Sequence, residues 1–339
     1  MTITRRGLLG TAAAATTTLP VLRARAAGAP TLKIGVLNDQ SGPYKDLAGL
    51  GSVACVKQAV QDFGPRGFNV EVVTADHQNK PDIGAGIARQ WIDRDGVTLI
   101  DSVPTSSVAL AVNNVCREKN VAYLNTGAGT DDLTGSQCTP VTLHWSYDIY
   151  MLAKSTGGKT VETGGKTWYF ITANYTFGQQ LQQVTSGFVT AAGGKVLGAS
   201  PYPFPATSDF SSFLLSAQAS GAKVLGLANA GADTVNCIKQ AAEFGLSRKM
   251  TVAALLMFIT DVHGVGLQTA QGLYLTESFY WNMNDGTRRF AKKVQPKLHD
   301  NAMPTMVQAG DYSGTLHYLK AANAIGAARA QHDGPAVVA

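Results

Sequence analysis

Short runs of apolar and β-branched residues alternate along the chain with longer segments in which apolar residues recur every three or four positions. The short runs predict buried strands, and the longer segments predict amphipathic helices. Strands are expected over residues 32–38, 70–75, 98–102, 121–125, 167–172, 195–198, 224–229, 250–255 and 273–277. Helices are expected over residues 49–63, 81–94, 106–118, 177–192, 211–219 and 234–244. This βαβ order predicts an α/β protein with doubly wound parallel sheets, covered by helices on both faces.

Two segments interrupt this order and predict a division into two lobes. They are rich in aromatic residues and have no helical period, which suits crossovers between two sheets, near residues 145–150 and 276–281. We therefore expect a first lobe formed by residues 27–145 and 279–339, and a second lobe formed by residues 146–278. The 313 residues after position 26 exceed the ~100 to 200 residues that one domain usually takes, which agrees with two lobes.

The first 26 residues have the features of an export signal. Arg5 and Arg6 form a twin-arginine pattern ahead of a stretch rich in Ala and Thr, which ends at the small-x-small cleavage site Ala24-Arg25-Ala26. The stretch is interrupted by Pro20 and is too short to span a bilayer, which takes about 20 apolar residues. We therefore expect a signal peptide over residues 1–26, cleavage after Ala26 and a periplasmic mature protein.

Composition and charge exclude two classes of protein. Hydrophobic residues make up 45% of the chain and charged residues 15%, so the bulk of the chain forms a large core and is not intrinsically disordered. The formal net charge of +5 includes the arginines of the predicted signal peptide, so the mature chain is close to neutral. Because it has no basic block, nucleic-acid binding has no electrostatic basis.

The four cysteines are an even number in a protein expected in an oxidising compartment. Cys55, Cys116 and Cys237 lie in helical patterns, where a buried free thiol is the simplest interpretation. Cys138 lies in a polar loop. The sequence leaves open a disulfide, for which Cys116 with Cys138 is the favoured pair, because connectivity cannot be read from sequence.

Motifs for phosphate, metal or nucleotide chemistry are absent from the sequence. The two Gly-Gly-Lys-Thr segments at 157–160 and 164–167 lack the earlier glycine of a phosphate-binding loop, and the second opens a predicted strand. The six histidines have no close spacing with one another or with cysteine, so no metal site is predicted. No Gly-x-Ser-x-Gly motif occurs, no Gly-x-Gly-x-x-Gly follows a strand, and we expect no cofactor.

Small polar residues follow two neighbouring predicted strands. Thr105, Ser106 and Ser107 open a predicted helix, whose first N–H groups are unpaired and carry partial positive charge. Gly127 and Gly129 follow the next strand and would let the backbone approach a ligand closely. Since open α/β sheets bind ligands at the carboxyl ends of their strands, these segments predict a site for an anionic group, although an ordinary helix cap would have the same sequence.

Aromatic residues accumulate at similar positions in the chain. Tyr44 follows the first predicted strand, Trp145 and Tyr147 lie in the first crossover, and Phe177 follows the strand that ends at residue 172. Their recurrence at loop positions between the lobes favours a cleft lined by rings.

Taken in order, several of these segments resemble the periplasmic solute-binding proteins of branched-chain amino acid type ABC transporters, which have the type I periplasmic-binding fold. The resemblance covers the whole mature chain. The segments that carry it are Ile34-Gly35-Val36-Leu37 with Ser41-Gly42-Pro43, the helix start at Thr105-Ser106-Ser107, Thr126-Gly127-Ala128-Gly129, Tyr175-Thr176-Phe177-Gly178, and Gly272-Leu273 before Glu277-Ser278.

The resemblance implies a non-enzymatic receptor, a monomer, that binds a small ligand between two hinged lobes and delivers it to the permease subunits of an ABC importer. Ser106, Ser107, Gly127 and Gly129 would hold a carboxylate or similar polar head, beside Tyr44. The second lobe would contribute Tyr147, Phe177, Ala230 and Asp261. The sequence has Gly129 where amino-acid binders place a hydroxyl, and Asp261 is offset by a few residues, so aromatic acids, other organic acids and small amides stay open beside amino acids.

The end of the chain departs from the family pattern. Members of the family usually cross a third time after their last long helix, whereas this sequence stops at Ala339, so we expect the third crossover to be missing, through truncation or divergence. Two other functions also stay open. One is an exported α/β hydrolase that uses Asp261 with His263, which would share a face of a strand, and the other is a ligand-sensing periplasmic receptor.

Overall fold

A computed structural model describes residues 28–339 of the chain. The expected signal peptide and its cleavage after Ala26 lie outside the described residues. Within them, no helix combines the length and the apolar character that crossing a bilayer requires.

Within residues 28–339, nine strands form two sheets in which all neighbouring strands are parallel, as the α/β pattern predicts. In the first sheet the order is β2-β1-β3-β4-β5, and in the second it is β7-β6-β8-β9. The strands are β1 (Thr31–Asn38), β2 (Asn69–Asp76), β3 (Leu99–Ser102), β4 (Ala122–Asn125), β5 (Thr142–His144), β6 (Thr167–Ala173), β7 (Lys195–Tyr202), β8 (Val224–Ala228) and β9 (Thr251–Ala254). We call the part built on the first sheet the first lobe, and the part built on the second sheet the second lobe.

Helices connect the strands and cover both sheets. They are α1 (Gly49–Phe63), α2 (Pro81–Asp93), α3 (Ser106–Lys119), α4 (Ile149–Leu152), α5 (Gly158–Glu162), α6 (Thr176–Ala191), α7 (Ser211–Ala219), α8 (Ala232–Glu243), α9 (Ile259–Val265), α10 (Asp285–Val294), α11 (Met306–Ile325), α12 (Ala327–Ala330) and α13 (Gly334–Val338). A π-helical turn, Ala153–Gly157, joins α4 to α5, and short 3₁₀ helices lie at Asp131–Leu133, Leu246–Arg248, Gln295–Lys297 and His299–Asn301.

The two faces of the first sheet bury separate apolar clusters. Leu32, Ile34 and Val36 of β1 pack with residues of α1 and α11, such as Val56 and Tyr318. The opposite face packs with α2 and α3. In the second lobe, α6 contributes to one cluster and α7 with α8 to the other. The alternation of side chains along each strand therefore produces the doubly wound fold that the pattern predicts.

Two expected elements differ from the observed ones. The strand expected over residues 273–277 is wrong, because only Tyr274 pairs, in a single parallel bridge to Ala253. Gly272 before it has a φ of +79°, which turns the chain out of extended conformation. Conversely, residues 142–144, just before the aromatic crossover near residues 145–150, form β5 at the edge of the first sheet, a strand that the pattern does not predict.

All four cysteines are free thiols. The disulfide between Cys116 and Cys138 that the sequence leaves open is not formed. Cys116 is buried in α3 among apolar residues, whereas Cys138 is exposed.

Candidate functional site

The carboxyl ends of the two sheets face each other across a narrow cleft. A cavity of about 10 Å³ lies between them. The first lobe lines the cavity with Tyr44, Leu47, Pro104 and Gly127. The other side is lined by Tyr147, Tyr175, Phe177, Ala230 and Leu256.

A larger groove of about 630 Å³ lies at the opposite end of the second sheet, where β8 and β9 begin. Its lining includes the exposed side chains of Lys223, Arg248 and Lys249 and none of the predicted site residues. Ligands of open α/β sheets bind at the carboxyl ends of the strands, so we place the candidate site in the cleft between the lobes.

The loop that carries Tyr44 is shaped by the buried carboxylate of Asp39. Asp39 accepts hydrogen bonds from the backbone N–H groups of Gly42 at 2.7 Å and Tyr44 at 2.8 Å, and from Asn79 Nδ2 at 2.7 Å. The Thr105 hydroxyl donates to Asn79 Oδ1. Asn79 therefore joins the Tyr44 loop to the residue that precedes α3.

Helix α3 begins directly behind the cavity. Its N-cap residue, Thr105, uses its hydroxyl on Asn79 and makes no side-chain hydrogen bond to the helix. Ser106 is fully buried and its hydroxyl has no partner in the described chain, while Ser107 is half-buried. The first turn of an α-helix leaves its N–H groups unpaired, so this end is suited to a negatively charged group.

The glycine-containing loop after β4 leaves no room for side chains. A Cβ at Gly127 would lie 2.9 Å from the backbone of Pro104, and a Cβ at Gly129 would lie 3.0 Å from the ring of Phe177. The Tyr147 hydroxyl donates a hydrogen bond to the carbonyl of Gly127. Backbone rather than side chains therefore forms this wall of the cleft.

Aromatic rings meet across the cleft. The hydroxyl groups of Tyr44 and Tyr175 are 2.6 Å apart and hydrogen-bonded. Phe204 stacks on Tyr175 with 4.4 Å between ring centroids and lies 5.3 Å from the ring of Tyr44. Burial raises the pKa of both Tyr44 and Tyr175, so both phenols are neutral at physiological pH.

Polar contacts also connect the lobes around the rings. The Thr130 hydroxyl donates to Gln180 Oε1, and Gln180 Nε2 donates to Asp132 Oδ2, both at 2.6 Å. The backbone N–H of Ala232 donates to the carbonyl of Pro43 at 3.0 Å. Together with the tyrosine pair, these bonds describe a closed arrangement of the two lobes.

The predicted site residues are placed in three groups. Tyr44, Gly127, Tyr147, Phe177 and Ala230 line the cavity. Gly129 contacts the ring of Phe177, and Thr105, Ser106 and Ser107 open the helix that follows Pro104. Trp145 and Asp261 lie outside the cavity lining.

Local packing explains the positions of Trp145 and Asp261. The indole N–H of Trp145 donates to Ser313 Oγ at 2.9 Å, and its ring lies 5.2 Å from that of His317 on α11. Asp261 is buried at the start of α9, where it accepts from the backbone N–H of Phe258 at 3.0 Å. Burial raises its pKa to about 7.

The residues of the hydrolase alternative do not share a face. Asp261 and His263 lie two positions apart in a helix, α9, and not in a strand. Side chains at that spacing point in different directions from a helix, so the geometry does not pair the two groups.

The sequence interpretation missed several cavity residues. Leu47, Pro104 and Leu256 line the cavity, although nothing in their spacing marks them as ligand contacts. Tyr175 also lines the cavity. The sequence marks it only as one of the aromatic residues that follow the strand ending at residue 172, and its position just after β6, at the carboxyl edge of the sheet, is the signal for a site residue.

The chain is similar to known proteins over almost its whole described length. A family model described as periplasmic binding protein matches residues 31–339. A crystal structure of a periplasmic binding protein from Burkholderia mallei is 50% identical, with a TM-score of 0.86, and the match covers 92% of this chain and 82% of that one. A branched chain amino acid ABC transporter periplasmic ligand-binding protein from Burkholderia xenovorans is 40% identical, with a TM-score of 0.76 and coverage of 91% and 81%.

More distant relatives share the fold. A solute binding protein from R. palustris in complex with 4-hydroxybenzoate matches with a TM-score of 0.82 at 21% identity, over 91% of this chain and 84% of that one. A Leu/Ile/Val-binding protein homolog from Brucella abortus is 26% identical over 249 residues, which are 70% of this chain. The matched region spans 60% of the length of that curated relative.

We predict that Asn79→Ala lowers the free energy of unfolding by about 1 to 3 kcal/mol, because it removes one hydrogen bond of the buried Asp39 carboxylate and leaves the buried Thr105 hydroxyl without a partner. Chemical denaturation measures this. Gln78→Ala is the matched control, since Gln78 has a φ of +53° beside +56° for Asn79 but an exposed side chain. An equal loss in both variants would mean that backbone conformation, and not the hydrogen bonds, carries the effect.

We predict that Tyr175→Phe shifts the free protein toward an open form, because it removes a hydrogen bond between the lobes. A net contribution of about 1 kcal/mol corresponds to a roughly fivefold higher open-to-closed ratio. Small-angle X-ray scattering should show a larger radius of gyration. Tyr169→Phe is the control, because the Tyr169 hydroxyl pairs with Ser200 inside the second lobe. No difference between the two variants would argue against the tyrosine pair as a closing contact.

Proposed function

The chain belongs to the periplasmic binding protein family, and on that premise we propose that it is the solute receptor of an ABC importer. It captures a small carboxylate-bearing ligand between its two lobes and delivers it to the permease subunits. The relatives are solute-binding proteins and not enzymes, which supports a role in binding without catalysis.

One observation carries this proposal: the two walls of the cleft have complementary character. The first lobe presents the start of α3 and the backbone of the Gly127 loop. The second lobe presents Tyr147, Tyr175 and Phe177. Such a cleft suits a ligand with an anionic head for the helix start and a flat apolar body for the rings.

The charges around the cavity favour an aromatic or other organic acid over an amino acid. None of the nine residues that line the cavity is acidic or basic. The Asp261 carboxyl group accepts a hydrogen bond from the backbone N–H of Phe258 at the start of its own helix, α9, and Asp233 accepts a hydrogen bond from the Tyr202 hydroxyl at 2.7 Å. An α-ammonium group would therefore enter this lining without a carboxylate partner, which costs free energy when a charge leaves water.

Ligand entry requires the lobes to separate. The cavity of about 10 Å³ in the closed arrangement corresponds to about one water molecule. A benzoate-sized molecule would take the place that the rings of Tyr44 and Tyr175 now fill against each other. Hinge opening of two lobes around a ligand is the motion by which periplasmic binding proteins work.

We predict that 4-hydroxybenzoate raises the unfolding temperature of the protein and that leucine does not. A ligand at a hundredfold excess over its Kd stabilises the folded state by about 2.7 kcal/mol. Differential scanning fluorimetry with benzoates, aliphatic organic acids, leucine and small amides measures this. Stabilisation by leucine alone would contradict the preference for aromatic acids, and stabilisation by none of the panel would contradict the proposed ligand class.

We predict that the double variant Ser106→Ala with Ser107→Ala weakens binding of 4-hydroxybenzoate at least tenfold. A hydrogen bond to a charged group contributes about 1.5 to 3 kcal/mol, and the variant removes up to two of them. Isothermal titration calorimetry measures the affinity. The control is Ser211→Ala with Ser212→Ala, a serine pair that opens α7 away from the cavity. Equal affinity in both double variants would place the polar head of the ligand elsewhere.

A further inference from the structure

A cluster of buried oxygen atoms lies behind the two loops of the first lobe that face the cleft. Its centre is a pair of carboxyl groups, Asp101 at β3 and Asp311 on α11, which are fully buried and within hydrogen-bonding reach of each other. Asp101 is the second-last residue of β3, and the loop that leads to α3 follows this strand. Asp311 is reached only after the chain returns from the second lobe.

The hydrogen bonds of this pair are incomplete. The Thr315 hydroxyl donates to Asp101 Oδ2 at 2.9 Å, and the Thr126 hydroxyl donates to Asp311 Oδ1. The other oxygen of each carboxyl group has no hydrogen-bond partner in the described chain. The fully buried hydroxyls of Ser52 and Ser102 also have no hydrogen-bond partner in the described chain.

A proton between the two carboxyl groups would satisfy both unpaired oxygens. Two fully buried carboxyl groups within hydrogen-bonding reach of each other cannot both be ionised, because like charges at this separation repel strongly in a low dielectric. No Lys or Arg within the described residues forms an ion pair with Asp101 or Asp311.

We propose that Asp101 and Asp311 share one proton and act as a positioning pair that fixes both loops of the first lobe in their ligand-binding shape. The effect of the pair on ligand binding rests on the proposed function. The existence of the pair does not.

The loops on either side of the pair depend on α11 for their shape. Ser102 and Val103 have φ values of +81° and +53°, which non-glycine residues rarely adopt. Thr126, which donates to Asp311, comes directly before Gly127. Repulsion between two ionised carboxylates would push α11 away from β3 and release both loops.

The surroundings keep at least one proton on the pair at acidic and neutral pH. Burial raises the pKa of Asp311 to about 6, and burial together with the neighbouring Asp311 raises that of Asp101 well above its usual range. The other titratable groups that face the pair are Cys55 on α1 and Tyr123 on β4, and burial raises the pKa of both, so they are neutral. The charge of Lys297 acts on Cys55, where it opposes the rise of the thiol pKa, and not on the pair itself.

Because both pKa values are raised, the stabilisation of the folded protein by the pair decreases as the pH rises. A carboxyl group whose pKa is raised in the folded protein contributes its stabilisation fully below the unfolded pKa, near 3.8, and loses it as the pH rises through the folded pKa. For Asp311 the loss falls between about pH 4 and pH 6, and for Asp101 it continues above this window.

The test is Asp311→Asn, whose amide N–H replaces the shared proton at every pH. Between pH 4 and pH 6 the unfolding equilibrium constant of the wild type should rise about 100-fold more than that of the variant, tenfold for each pH unit. Hydrogen exchange of residues 102–106 and 126–129, corrected for intrinsic rates, should accelerate between pH 6 and pH 8.5 in the wild type only. Identical pH profiles in both proteins would overturn the proposal.

Asp233→Asn is the matched control for a lone buried acid, because Asp233 of the second lobe has a pKa raised to about 6 by burial. It should change the pH dependence of stability but leave the exchange of both loops as in the wild type. Faster loop exchange at high pH that disappears in Asp233→Asn would contradict the assignment to the pair. If Asp311→Asn does not fold, Asp101→Asn carries the same test.

The stability and hydrogen-exchange measurements use no ligand, so they test the proton pair independently of the proposed function. The Kd for 4-hydroxybenzoate, measured at pH 6 and pH 8.5, should rise with pH in the wild type and stay level in Asp311→Asn. If 4-hydroxybenzoate does not bind at either pH, the proposed function fails while the stability and exchange results still decide the proton pair. If it binds with the same pH dependence in both proteins, the positioning role fails alone.

Discussion

The cleft-facing side of the first lobe depends on its packing against helix α11. The Thr305 hydroxyl at the start of this helix donates to the carbonyl of Leu47 at 2.7 Å, Thr126 donates to Asp311, and Thr315 donates to Asp101. These partners are 185 to 258 residues apart in the chain. Because α11 follows the second lobe in sequence, the first lobe is complete only after the chain has built the other wall of the cleft and returned.

This dependence gives the cleft one firm wall and one adaptable wall. The first lobe faces the cleft with backbone and a helix start, which are held by buried hydrogen bonds from Asp39, Asn79 and α11. The second lobe faces it with aromatic rings that touch the first lobe through side-chain tips. Rings can rotate and part at little cost compared with breaking a buried network, so we infer that the polar wall orients a ligand and the aromatic wall adapts to its body.

The sequence could predict those parts of the site that follow from chain direction. Gly127 and Ser106 come two and four residues after the ends of parallel strands, and all such strands end at the same edge of the sheet, so their proximity to the cleft follows from topology. Trp145 and Asp261 also stand next to that edge, but their side chains turn to Ser313 and to Phe258. Side-chain packing decides whether a residue near this edge points into the cleft. Spacing along the chain carries no information about that packing.

The sequence by itself determined the α/β class, the two parallel sheets and the family, because strand and helix periods are local properties and the order of motifs survives sequence divergence. Only the tertiary structure decided that Tyr44 and Tyr175 meet, that Asn79 joins two loops, and that the buried Asp101 and Asp311 lie within hydrogen-bonding reach of each other. Each of these contacts joins residues from different lobes or from distant elements. Their meeting depends on how the helices and sheets pack in three dimensions, which no local pattern of residues encodes.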